Sequence, residues 1–145
     1  MKQLIIIRGP SGSGKSTAAR AIQNGDPSVW IFEADNYFIG RDGQYKFIAE
    51  KIGQAHKYCQ DCVRHRMTCG DRRIIVSNTT MACADAAPYL KLAEEFGYDV
   101  KIFRTKQPWD VKILAARNVH GVTEEIVQRQ ISRYQPLENE EEYVG

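Results

Sequence analysis

The nine residues Gly9-Pro10-Ser11-Gly12-Ser13-Gly14-Lys15-Ser16-Thr17 read G-x-x-x-x-G-K-S, a spacing whose chemistry is the cradling of a phosphate chain. The backbone has to curl around an anion with several N–H groups pointing inward. That curl needs glycine where a Cβ would collide or where φ must be positive, and Gly12 and Gly14 meet the need. Ser13 stands between them in the cradle. Lys15 is placed to reach β- and γ-phosphates, the Ser16 hydroxyl to sit on Mg²⁺, and Thr17 to add a hydrogen bond to the α-phosphate. The donor implied is ATP or another nucleoside triphosphate, with Mg²⁺. A second group of residues, Asp35 with Tyr37 and Phe38, follows the apolar run Val29-Trp30-Ile31-Phe32. A carboxylate just beyond the carboxyl end of a strand lies on the ligand-binding edge of a parallel α/β sheet, so Asp35 is a site candidate.

The flanking elements supply the context that such a loop requires. Leu4-Ile5-Ile6-Ile7 reads as a buried parallel strand, and Ala18 to Gln23 as a helix closed at Asn24-Gly25. This is strand, loop, helix, and the helix start adds free N–H groups and a positive dipole end beneath the phosphates. Strand two is Val29–Phe32; a polar loop with Gly40 and Gly43 follows, and then a long helix from about Lys46 to Thr68. Ile74-Ile75-Val76 is strand three, ending in Ser77-Asn78-Thr79-Thr80; Asp85 to Phe96 is a helix; Val100, Ile102 and Phe103 mark strand four. A short helix carries Val111, Ile113 and Leu114 and breaks at Arg117-Asn118-Val119-His120-Gly121. Thr123 caps the last helix, with Glu124 and Glu125 in its first turn. Strands alternating with helices predict a parallel four-stranded sheet with helices on both faces. Residues 1–136 form one domain, and residues 137–145, rich in glutamate, a solvated acidic tail.

His56, Cys59, Cys62, His65 and Cys69 are spaced like a metal-binding set. On a helix, each step of three advances about 4.5 Å, so His56 and His65 stand about 13 Å apart along the axis. Zinc ligands converge within about 2.0 to 2.3 Å of one ion, so these cysteines read as free thiols, with a buried helix face as their setting. The chain has 145 residues and a formal net charge of +2. That length suits one α/β core. Charge so nearly balanced leaves any nucleic-acid contact to local clusters, of which Arg41, Lys46, Arg64, Arg66, Arg72 and Arg73 are the candidates. No apolar run approaches the length of a membrane span, and the expected location is cytoplasmic.

Taken together and in order, Gly9–Thr17, Asp35 with its following aromatics, Asp42-Gly43-Gln44-Tyr45, Ile75-Val76-Ser77-Asn78-Thr79-Thr80, Pro108-Trp109 and Arg117-Asn118-Val119-His120-Gly121 resemble the small kinases similar to the kinase domain of phage-type polynucleotide kinase. The resemblance runs to Pro136 and implies a P-loop fold with a helical lid. It implies that Asp35 acts as general base on the acceptor hydroxyl, that Arg117 lies over the β- and γ-phosphates, and that His120 is a second lid residue. The chain departs from the pattern twice. Phage-type enzymes carry an arginine three residues after the base, where this chain has Phe38, and relatives place an acid at the end of strand three, where it has Ser77 and Asn78. Tyr37 and Phe38 are then the candidates for stacking on a nucleobase, and Asp35 is expected to take on more of the metal duty. The leading expectation is an ATP-dependent kinase for a hydroxyl of DNA or RNA, most simply the 5′-hydroxyl end. The alternatives are phosphorylation of 5-hydroxymethyluracil within DNA, a small-molecule kinase, and a nucleotide-dependent switch without catalysis.

Overall fold

The computed structural model describes residues 1–118 and 120–145; Val119, within the expected break between Arg117 and Gly121, lies outside the described residues. Five parallel strands, β1 (Gln3–Arg8), β2 (Trp30–Phe32), β3 (Arg73–Val76), β4 (Asp99–Arg104) and β5 (Glu140–Glu142), lie in the order β2-β3-β1-β4-β5. The helices are α1 (Lys15–Gln23), α2 (Ile52–Thr68), α3 (Cys83–Phe96), α4 (Val111–Arg117) and α5 (Glu124–Ser132). Two single 3₁₀ turns, Ala34–Phe38 and Ala49–Lys51, complete the set.

β1 explains the layering. Successive side chains of a strand face opposite ways, so a strand buried on both sides must be apolar throughout. Leu4 and Ile6 join Ala55, Cys59, Val63 and Met67 of α2 and Tyr89, Leu92 and Ala93 of α3 on one face. Ile5 and Ile7 meet Ala18 and Ala19 of α1 on the other. All four β1 residues are at most 3% exposed. The phosphate loop leaves the carboxyl end of this strand, which has β3 on one side and β4 on the other.

Three expectations change. The sheet has five strands, not four, because residues 140–142 pair with β4, and the tail is docked where a solvated one was expected. The cause is Arg8, whose side chain is fully buried and whose Nη1 donates to Glu140 Oε1 at 2.6 Å. The long helix starts at Ile52 instead of Lys46. An antiparallel bridge between Ile39 and Tyr45, with Lys46 N–H donating to the Phe38 carbonyl, holds the preceding residues extended around the Asp42-Gly43 turn. Of the cysteines, all four are free; Cys59 alone is buried, on the core face of α2 with Ala55, Val63 and Met67. Among the described residues no helix is long and apolar enough to cross a membrane.

Candidate functional site

Gly12 (φ 80°) and Gly14 (φ 97°) adopt the left-handed backbone that the loop sequence calls for. A Cβ at Gly12 would lie 2.2 Å from the Leu114 carbonyl oxygen of α4, so the loop and the lid helix touch through a glycine. α5 braces the same loop. Gln130 Oε1 accepts from Ser11 N–H at 2.8 Å and its Nε2 donates to Ser11 Oγ at 3.0 Å. Ser13 Oγ is buried without a partner among the described residues. Lys15 folds over the loop and donates to the Pro10 carbonyl at 3.0 Å. Desolvation pulls its ammonium down to about 8, against the opposing pull of the Glu33 and Asp35 carboxylates.

A cavity of about 1020 Å³ opens in front of the loop. It gathers Gly12, Gly14, Lys15, Ser16 and Thr17 with Asp35 from the turn after β2 and with Arg117 and His120 from the lid. These expected site residues come from three separate stretches of chain, and the fold brings them to one concavity. Asp35 is exposed in the 3₁₀ turn, beside Tyr45. Burial, and Asp35 as both charge and hydrogen-bond partner, push the Tyr45 phenol up to about 12. The Tyr45 ring in turn lies 4.1 Å from the His120 ring, which links the Asp35 side of the cavity to the lid.

The two aromatics after Asp35 part company. Phe38 is 6% exposed and belongs to the core, edge-on to Tyr37, Tyr45 and Phe47, so its ring offers no open face. Tyr37 stays at the surface, where its hydroxyl donates to Gln54. Phe47, 52% exposed, is the cavity-lining aromatic with the most free surface.

Several site residues escaped the sequence reading. Glu33 Oε1 accepts from Ser16 Oγ at 2.6 Å and from Ser77 Oγ at 2.8 Å. Asn78, which with Ser77 stands where relatives place an acid, is committed elsewhere: its Oδ1 accepts from Ala34 N–H at 2.7 Å and its Nδ2 donates to the Tyr89 hydroxyl at 3.3 Å. Asn118 organises the lid turn, with Nδ2 donating to the carbonyls of Ala115 and Val122 and Oδ1 accepting from the N–H groups of His120 and Val122. The only signal in the sequence was the Asn beside Arg117, since side-chain-to-backbone bonding is what Asn does in turns.

The expected basic approach path also needs correction. Arg66 is paired in a two-pronged contact with Asp71 and lies over the Trp30 ring; Arg64 meets Glu95. Arg72 and Arg73 sit at the amino end of β3, the opposite end of the sheet from the phosphate loop. Arg41 and Lys46 do lie close by, in a groove of about 590 Å³ that also includes Lys51 and shares Phe38 with the main cavity.

The chain is similar in sequence and in fold to known proteins. Human NEDD4-binding protein 2 is 36% identical over 135 residues, covering 91% of this chain; the chain spans only 8% of that protein's length. Among solved structures, the Pnkp1/Rnl/Hen1 RNA repair complex contains a chain similar in fold, with a TM-score of 0.70 and 16% identity over 91% of this chain and 43% of that one. The APS kinase CysC of Mycobacterium tuberculosis, solved with AMPPNP and APS, gives a TM-score of 0.63 and 18% identity over 97% of this chain and 88% of that one. At identities this low, the TM-scores show a shared P-loop kinase-like fold and nothing finer. Residues 4–137 match the model of the AAA domain family, and the chain belongs to that family.

Proposed function

We propose that the protein is an ATP-dependent kinase that transfers the γ-phosphate to a hydroxyl of DNA or RNA, most simply the 5′-hydroxyl end, as the resemblance to polynucleotide kinases suggests. The observation that carries this reading is the single cavity in which Lys15, Ser16, Asp35, Arg117 and His120 meet. Asp35 orients the acceptor hydroxyl and takes its proton as the oxygen bonds to Pγ and the bond from Pγ to the β–γ bridging oxygen breaks, leaving ADP. Lys15 and Arg117 hold the oxygens on which charge develops, and the inward N–H groups of residues 12–17 bind the phosphates. Ser16 would ligate Mg²⁺, which would supply neutralisation of the phosphate charge.

Two features favour a nucleotide acceptor over a charged metabolite. The acceptor side is walled by Tyr45, Phe47, Ile52 and Ala55, surfaces suited to a base. Beyond it runs the groove with Arg41, Lys46 and Lys51, suited to a phosphodiester backbone. The same walls, with no end-reading arginine at position 38, suit a modified base as well, so the hydroxymethyl group of 5-hydroxymethyluracil in DNA is the second reading.

The test is transfer of labelled γ-phosphate from ATP with Mg²⁺ to 5′-hydroxyl oligonucleotides, to end-blocked DNA containing 5-hydroxymethyluracil, and to a metabolite panel. Label on free 5′ ends is the expected result. Label confined to the end-blocked DNA moves the function to base modification, and label on a metabolite alone overturns the nucleic-acid reading.

A further inference from the structure

The phosphate-binding end of the sheet carries one acid that the sequence motifs do not account for. β2 and β3 are neighbours in parallel register, with Phe32 beside Val76, so the next residues, Glu33 and Ser77, come side by side. Ser77 N–H donates to the Phe32 carbonyl at 3.0 Å and fixes that juxtaposition. Across from them stands Ser16, in the first turn of α1. Glu33 Oε1 receives both hydroxyls, and among the described residues Oε2 receives none.

We infer that Glu33 is the acidic partner of the metal ion that accompanies the nucleotide, filling from the end of β2 the place that Ser77 leaves without an acid at the end of β3. This rests on the proposal that the loop binds a nucleotide with Mg²⁺. A serine that gives its hydrogen to a carboxylate has its oxygen lone pairs directed elsewhere, and the carboxylate makes that oxygen a better ligand. Mg²⁺ keeps several of its waters and favours sites with one or two carboxylates, so an acid beside the Ser16 hydroxyl suits it. The other polar groups at this edge have different commitments. Asn78 is bound to Ala34 and Tyr89, and Asp35 lies on the acceptor side against Tyr45.

The competing explanation is mechanical: Glu33 merely ties β2 to α1 and β3. Glu33→Gln separates the two, because a glutamine oxygen still accepts from both serines while the charge is gone. The measurement is the affinity for a non-hydrolysable ATP analogue in excess Mg²⁺ and in EDTA, with thermal melting to verify that each variant is folded. The wild-type chain is expected to gain affinity when Mg²⁺ is present. Glu33→Gln should lose about 10- to 100-fold of that gain, the usual cost of removing an outer-shell partner, while its affinity in EDTA holds or rises. Moving the carboxylate back, in Glu33→Ser with Ser77→Asp, should restore most of the gain. A Glu33→Gln protein that keeps the wild-type Mg²⁺ gain overturns the metal role and leaves the tether. A wild-type chain that binds no ATP analogue in either condition overturns the nucleotide reading itself, and the role of Glu33 with it.

Discussion

Replacing Glu140 by alanine tests how the acidic tail is held. The Arg8 side chain is wholly buried and Glu140 is 9% exposed, with Arg8 Nη1 2.6 Å from Glu140 Oε1. The rest of the guanidinium faces carbonyls, with Nε and Nη2 donating to Thr80, Nη2 to Met81 and Nη1 to Gln135. Carbonyls solvate the cation but do not neutralise it. Glu140→Ala leaves an uncompensated buried charge with Arg104 nearby, since Arg104 Nη1 stands 4.0 Å from the Glu140 carboxylate. Breaking one side of a buried pair costs about 3 to 5 kcal/mol. With an unfolding entropy of about 2.1 cal/mol/K per residue, that corresponds to a fall in Tm of roughly 10 to 16 °C for a chain of this size. Calorimetry or circular-dichroism melting reads it directly. Arg8→Met in the Glu140→Ala background should recover part of the loss, because it removes the stranded charge. A fall of less than about 3 °C for Glu140→Ala would mean that the buried arginine needs no counter-charge, and the clasp would be refuted.

The same pair sets a pH dependence. Burial pushes the Glu140 carboxyl up, but hydrogen bonds from Tyr134, the Leu137 N–H and Arg8, together with the charge of Arg8, outweigh it and hold the group below the ordinary carboxylate range. A depressed folded-state value means that the stabilisation is present above the unfolded value of about 4.3 and is lost as pH falls through the folded one. The Tm difference between wild type and Glu140→Ala should therefore be full at neutral pH and shrink below about pH 4; a constant difference down to pH 2 would contradict it. Gly12→Ala should cost about 2 kcal/mol or more through its positive φ alone, and its Cβ would strike the Leu114 carbonyl. Nucleotide affinity should drop at least about tenfold, since the inward N–H groups lose their alignment, and an unchanged affinity in titration would disprove the loop's role. Asn118→Ala removes four hydrogen bonds from the lid turn. Hydrogen exchange at the His120 and Val122 amides should accelerate and turnover should fall, while the global Tm moves by only a few degrees; unchanged exchange would show that the turn is held by something else.

How legible these features were depended on how local their causes are. The phosphate loop, the carboxylate at Asp35 and the Thr123 cap are set by residues a few places apart, and a chain reader sees them. Glu33 was invisible because its meaning comes from Ser16 and Ser77, which reach it only through strand pairing. The tail failed for the opposite reason. A run of glutamates is normally solvated, and only the arginine that follows Leu4-Ile5-Ile6-Ile7 hinted that one of them had a buried partner. Phe47 and Ile48 fit a helical pattern, yet the bridge between Ile39 and Tyr45 claims the segment before the helix can begin. The basic residues were overcounted because a sequence shows charge but not the carboxylates that Arg64 and Arg66 meet.

Phosphoryl transfer at this site is tested most directly by single-turnover transfer from ATP to a saturating 5′-hydroxyl oligonucleotide, comparing wild type with Asp35→Asn. Asparagine keeps the size of the side chain and removes the base. A rate lower by about 10²- to 10⁴-fold, with the affinity for ATP unchanged, is the predicted result. An undiminished rate in Asp35→Asn would contradict the assignment of the base and, with it, the proposed geometry of transfer.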